Sequence, residues 1–187
     1  MLKRLALLCA TLLLASCASV EQIKEFHDRS LGYGWLDIRE VDGNRMHAVS
    51  IYQFRPQTDK PYYPARVLPF KDGFLYFSMA LPNGSHKPVS AAAQSCIGFM
   101  CGNTIYEYSF GKQGDETGAV VIKSPGVYWM GAYKLKKVKT GFFEQGKFDI
   151  EPAKDAPSKR EILEEILKDI DEPVVAEKIK RELATLK

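Results

Sequence analysis

Between residues 35 and 150, apolar and polar positions alternate in short runs rich in aromatic and β-branched residues, and each run is closed by turn-forming residues. A repeat of two is the repeat of a strand with one buried face. The runs predict strands over 35–41, 46–54, 66–70, 74–81, 104–110, 118–123, 127–139 and 142–150, with Asp42-Gly43-Asn44, Lys71-Asp72-Gly73, Pro82-Asn83-Gly84 and Ser124-Pro125-Gly126 as the turns. Asn and Gly accept the positive backbone angles of tight hairpins. About eight short strands with such turns predict a mainly β fold, an antiparallel β-sandwich or a small barrel.

Past residue 157 the repeat changes. Ile162, Leu163, Ile166, Leu167 and Ile170 recur at helical spacing behind Ser158 and Glu161, a capping-box pair. Asp171-Glu172-Pro173 interrupts the pattern, because proline suits a first helical turn and not an interior. Val175, Ile179, Leu183 and Leu186 then form a second stripe. The carboxy terminus is therefore an α-helical hairpin whose stripes need burial, since neither helix is long enough to be stable alone. Near the other end, Val20, Ile23 and Phe26 follow Ser19 and Gln22 at helical spacing and predict a short helix or tether.

The amino terminus runs in the order charge, apolar stretch, small residues, cysteine: Lys3-Arg4, then Leu5 to Leu14, then Ala15-Ser16-Cys17. This order resembles the lipobox of bacterial lipoproteins of the signal peptidase II type. The resemblance implies removal of residues 1–16, a diacylglycerol on the Cys17 thiol and an N-acyl chain such as palmitate on its new amino terminus. About ten apolar residues are too few to cross a hydrocarbon core, which takes roughly twenty. An ordinary secretory signal with an incidental Cys17 is the alternative, and Ala15 and Ser16 argue against it. Two or three acyl chains hold a protein on a membrane stably where one does not. In such lipoproteins an Asp after the cysteine retains the protein at the inner membrane, and Ala18 stands there instead. The expected location is the outer membrane, facing the periplasm, and the expected organisation is signal peptide 1–16, lipid-anchored tether 17–33, β-sandwich 34–152 and helical hairpin 153–187.

A second, shorter resemblance lies in 120–150. Pro125-Gly126 ahead of Val127-Tyr128-Trp129 is similar to the turn and aromatic strand of bacterial lipoproteins with a transthyretin-like or immunoglobulin-like sandwich. It implies a fold and no functional residue.

The net charge of +3 falls to about +1 once Lys3 and Arg4 leave, which gives no bulk attraction to nucleic acid. Of four cysteines, Cys9 leaves with the signal and Cys17 carries lipid. Cys96 and Cys101 face each other across Ile97-Gly98-Phe99-Met100 in an exported compartment and predict a short structural disulfide. A redox dithiol lacks the two-residue spacing and helix start that lower a thiol pKa. A zinc site with His86 lacks a fourth ligand.

Candidate contact residues carry a structural alternative each. Tyr106, Tyr108 and Phe110 share one strand face and can stack on sugars or peptides, or fill the core. Tyr62 and Tyr63, between Pro61 and Pro64, are excluded from a central strand by the prolines and read as exposed loop rings, or, as is commoner, as loop tyrosines folded back onto the sandwich. Lys134, Lys136, Lys137 and Lys139 read as contacts for anionic lipid or glycan, or as guards of an edge strand. Ile162, Leu163, Ile166 and Leu167 read as a docking stripe for a partner or a second copy, or as packing on the chain's own sheet.

His27, His47 and His86 are scattered, and no nucleophile elbow, zinc helix or phosphate loop occurs. Asp37, Glu40 and Glu107 are carboxylates that a fold could bring together. The sequence therefore predicts a membrane-anchored envelope lipoprotein that acts as a non-catalytic binding or assembly module, with no cofactor beyond its lipid and no metal. The alternatives are an envelope glycan-active or hydrolytic enzyme, and a structural homo-oligomer built through the carboxy-terminal helices.

Overall fold

The computed structural model describes residues 26–40, 45–97, 100–110, 114–137 and 148–186. Among these, nine strands run in chain order: β1 (Ser30–Asp37), β2 (Arg45–Arg55), β3 (Tyr62–Phe70), β4 (Gly73–Leu81), β5 (Gly84–Ile97), β6 (Met100–Ser109), β7 (Val120–Ile122), β8 (Val127–Lys137) and β9 (Phe148–Pro152). Two helices follow, α1 (Lys159–Lys168) and α2 (Pro173–Thr185). The strands form one sheet in the order β6-β5-β2-β3-β4-β1-β8-β9, with β7 pairing beside β5, and the sheet curls into a half-barrel. The fold is mainly β with a carboxy-terminal helical pair, as the strand and helix patterns predict.

Two departures position everything else. The turn expected at 42–44 lies outside the described residues, and the strands it separates are not a hairpin: β1 pairs with β4 and, in parallel, with β8, while β2 pairs with β3 and β5. The strand β5 has no counterpart in the sequence pattern. Its Pro88 and Ala91-Ala92-Ala93 are poor strand formers, yet β5 lies between β2 and β6.

The proline argument that kept Tyr62 and Tyr63 out of the sheet also fails, for a geometric reason. The first half of β3 pairs with β2 (Tyr62↔Tyr52 to Ala65↔Val49), and the second half pairs with β4 (Arg66↔Phe77 to Phe70↔Gly73). Each half therefore has one hydrogen-bonded flank. Pro64 and Pro69 each sit in a half whose other flank is unpaired, where no N–H is needed. Pro88 repeats the device: β7 pairs with β5 as far as His86, and β6 pairs from Ser90 onward.

The central strand β1 does not alternate buried and exposed as a one-faced strand would, and is buried throughout. Its Leu36, with Val49, Ile51, Tyr76, Ala91 and Met130, fills the inside of the curl, while Leu31, Tyr33 and Trp35 face outward under the helices with Leu75 and Phe77. The helices cover this outer face through Ile162, Leu163, Ile166, Val175 and Ile179, all 2% exposed or less. Each such side chain stabilises by about 1.5–3 kcal/mol relative to exposure.

The ends of the helices are specified locally. Ser158 Oγ accepts from the Glu161 backbone N–H, and the Glu161 carboxylate accepts from the Ser158 N–H. This is the predicted capping box. Pro173 opens α2 in its first turn, and Arg160 ties the two helices together by donating to the Leu183 and Leu186 carbonyls. At the entrance to β1, Phe26 and His27 are helical, and the rest of the predicted amino-terminal helix lies outside the described residues. Lys178 on α2 donates to the carbonyls of Phe26, His27 and Arg29 at 2.6, 3.1 and 2.7 Å.

Candidate functional site

The alternation of β2 sends Val49, Ile51 and Gln53 inward and leaves Tyr52 and Phe54 on the opposite face. Tyr62, paired with Tyr52 across the ladder, joins them. The Tyr52 ring centre lies 4.9 Å from both Phe54 and Tyr62, at interplanar angles of 72° and 68°. Edge-to-face contacts of this kind favour one arrangement of the rings. Tyr62 nevertheless remains 58% exposed.

Beyond Arg55 the chain makes an exposed loop through Pro56, Gln57, Thr58, Asp59 and Lys60 and returns at Pro61. The Gln53 N–H donates to the Pro61 carbonyl at 2.8 Å and closes the base of the loop. A recess of about 260 Å³ opens there, lined by Tyr52, Gln53, Gln57, Thr58, Asp59 and Pro61. Prolines at both ends of the loop fix φ and reduce the freedom the loop would lose on binding.

Behind the recess lies a polar seam. The Tyr63 hydroxyl donates to Gln53 Oε1 at 2.9 Å, and Tyr63 stacks edgewise on His86 with ring centres 5.8 Å apart. His86 is fully buried, and neither ring nitrogen has a hydrogen-bond partner of good geometry among the described residues. Burial pushes its pKa down, and the nearby Gly84 backbone opposes that shift without making a well-formed bond. A neutral imidazole in the core is the consequence.

The other predicted residues are placed as follows. Lys134 pairs with Glu40 at 2.5 Å and Lys136 with Glu151 at 2.7 Å. Their strand, β8, pairs with β1 as far as Lys134 and with β9 from Tyr133 to Lys137, so Lys134 lies within the sheet and Lys136 just past the end of its β1 flank. The side chains of Lys137, Tyr106, Tyr108 and Glu107, all of Lys139, and Cys17 lie outside the described residues, while Phe110 is core and stacks on Tyr133. Ile162, Leu163 and Ile166 are fully buried and Leu167 packs against the same cluster, so of the two readings of this stripe, docking a partner or second copy and packing on the chain's own sheet, the structure has the second. Cys96 and Cys101 form a disulfide at the β5–β6 turn, flanked by the exposed Ile97 and Met100.

Asp37 is held by Arg39 through bonds of 2.7–3.0 Å. Burial alone would raise its pKa, but the Arg39 bonds and charge, with Lys134, outweigh it and lower the pKa overall. A second recess of about 200 Å³ lies near it, between Trp35, Arg39, Lys71, Asp72, Asp155 and Glu161. The Lys71–Glu161 pair at 2.5 Å spans its wall and, with the cap bonds to Ser158, holds the Glu161 carboxyl at a pKa of about 2. Its charges serve to lock the β3–β4 turn to α1. No cluster of three or more His, Cys, Asp or Glu side chains able to hold a metal occurs among the described residues.

Of this site the sequence named Tyr62 and Tyr63 and missed Tyr52, Phe54, Gln57, Thr58 and Asp59. The usable signal was the Tyr52-x-Phe54 alternation running into a proline-bounded polar loop. No protein-family model matches the chain, and no characterised protein matches it in sequence. Among solved structures, a Bacteroides fragilis protein provisionally described as a cell adhesion protein superposes with a TM-score of 0.36 at 7% sequence identity, over 71% of this chain and 48% of that one. The chain thus spans about half that protein's length.

Proposed function

We propose that this chain is a lipid-anchored protein of the bacterial cell envelope, held at the outer membrane through Cys17, and that it works as a non-catalytic binding module whose ligand surface is the recess between Tyr52 and the 57–61 loop together with the exposed Tyr62 ring beside it. The observation that carries the second part is the pairing of an exposed ring, Tyr62, set edge-to-face on Tyr52, with an open polar recess that Tyr52 itself lines. Tyrosine brings large contact area at little conformational cost. The anchoring part rests on the residues around Cys17.

A binding role is favoured over hydrolysis by the state of the carboxylates. A glycosidase needs two of them, about 5 to 10 Å apart, with one able to give a proton. Asp37 and Glu40 are each engaged by a cation, and Asp59 is the single carboxylate among the lining residues of the recess.

Two measurements test the reading. Metabolic labelling with palmitate should mark the chain, and a Cys17→Ser variant should lose both the label and membrane fractionation; a variant that keeps both sinks the anchor. Photo-crosslinking in intact cells from benzoylphenylalanine placed at Tyr62 should yield adducts that the same residue placed at Lys180, exposed on α2, does not. Equal yields at the two positions sink the recess as the ligand surface.

A further inference from the structure

We infer that the ligand of this recess is an uncharged saccharide, an inference that rests on the recess being the binding surface. The lining supplies what a polyol needs. Gln57 offers a donor and an acceptor, Thr58 offers both from one hydroxyl, and Asp59 accepts from hydroxyls. Beside them the Tyr52, Phe54 and Tyr62 rings present π-systems that the C–H-bearing face of a sugar ring can contact.

Other ligand classes fit the same residues poorly. An acidic glycan or a phosphate would need a cation, and no Lys or Arg is among the lining residues. Of the cations flanking the loop, Arg55 is engaged by Glu116 at 3.1 Å, and Lys60, exposed between Asp59 and Pro61, does not line the recess. A peptide adding itself as a strand would need an unpaired edge with N–H groups to offer, whereas β2 at Gln53 is bonded on both sides, to β5 and to the Pro61 carbonyl, and the free flank of β3 beside Tyr62 carries Pro64, which has no N–H.

Size agrees as well. About 260 Å³ lies just below the small end of ligand sites, in keeping with a single sugar unit and not a longer segment. One unit in the recess and a neighbour over Tyr62 is the arrangement expected, with weak, fast-exchanging binding.

The full chain, in a detergent without sugar headgroups, is tested on an array of neutral and acidic glycans with short peptides included, and hits are titrated by NMR. Neutral oligosaccharides should bind saturably. Tyr62→Ala should weaken them about tenfold, Asp59→Asn about three- to tenfold, and Tyr62→Phe less than about threefold, since the ring and not the hydroxyl makes the contact. Tyr62 is exposed, so its variants fold. Tyr62-dependent binding of acidic glycans or peptides alone overturns the saccharide inference and leaves the recess as a binding surface. So does the absence of array binding while crosslinking at Tyr62 persists. Neutral glycan binding that ignores Tyr62→Ala overturns the inference too, and absence of both array binding and crosslinks at Tyr62 removes the recess itself.

Discussion

Gly34→Ala should be among the most damaging single-atom additions to this chain. β1 sits between β4 and β8, and Gly34 faces Tyr76 on one side and Gly131 on the other. A Cβ there would lie 2.3 Å from the Gly131 carbonyl oxygen, 2.3 Å from the Tyr76 hydroxyl oxygen and 2.4 Å from its Cζ. Those two oxygens are bonded to each other, Tyr76 donating to Gly131 at 3.1 Å, and Tyr76 is fully buried. Relief requires a movement on the order of 1 Å by a ladder backbone and a packed ring, which costs about 1–3 kcal/mol as overpacking. Parting the hydrogen bond strands a buried hydroxyl for about 1–3 kcal/mol more. The smaller unfolded-state entropy of alanine returns about 0.4–1 kcal/mol. The net loss is about 3 kcal/mol, or a fall in Tm of roughly 6–12 °C for a domain of this size. Urea unfolding of the unlipidated chain, followed by the fluorescence of Trp35 and Trp129, reads it directly. Gly114→Ala, with nothing within 4 Å but a φ of +81°, should lose only about 1–2 kcal/mol. A Gly34→Ala chain within about 1 kcal/mol of the parent refutes the close-approach argument.

Three further outcomes follow from the same contacts. A chain ending at Ala156 should fail to fold as a monomer, because it uncovers Leu31, Tyr33, Trp35, Leu75 and Phe77; cooperative unfolding of a soluble monomer would show that the helices are dispensable. His86, whose pKa is lowered in the folded state, takes its proton first in the unfolded state. Stability is therefore full above about pH 6.5 and declines as pH falls below it toward the folded pKa, at no more than about 1.4 kcal/mol per pH unit. His86→Phe should flatten that slope below about pH 6.5, and equal slopes in both chains would refute the assignment. Lys178→Met frees the Phe26, His27 and Arg29 carbonyls, so amide exchange at the entrance to β1 should rise about tenfold while β2 to β5 keep their protection; a uniform rise would mean the lysine stabilises the whole fold instead.

Much of the fold was legible because it depends on near neighbours. The β3–β4 hairpin follows from its turn residues, although the turn works differently from the expectation: Lys71 takes the positive φ of 53°, and Gly73 is needed because a Cβ would lie 2.2 Å from the Leu36 carbonyl. The capping box, the proline opening α2 and the Cys96–Cys101 pair are likewise short-range. What was not legible is partner choice across the sheet. Nothing within β1 says that its neighbours are β4 and, in parallel, β8, and nothing in Pro88 and its alanines announces β5.

The candidate site divides along the same line. Local pattern alone marked Tyr62 and Tyr63 as unusual, and even placed them wrongly outside the sheet, since the rule against proline in a ladder assumes two bonded flanks. Tertiary structure switched the partner of β3 midway, left each half with one free flank, and so brought Tyr62 against Tyr52, whose ring also meets Phe54, beside the 56–61 loop. The helical stripe shows the converse: the pattern determined that Ile162, Leu163 and Ile166 must be buried, and only the outer face of β1 and β4 decided what buries them. Period and capping act over a few residues, so the chain carries them wherever it goes. Which surfaces meet is settled by the competition of whole faces for burial, and that is a property of the folded molecule.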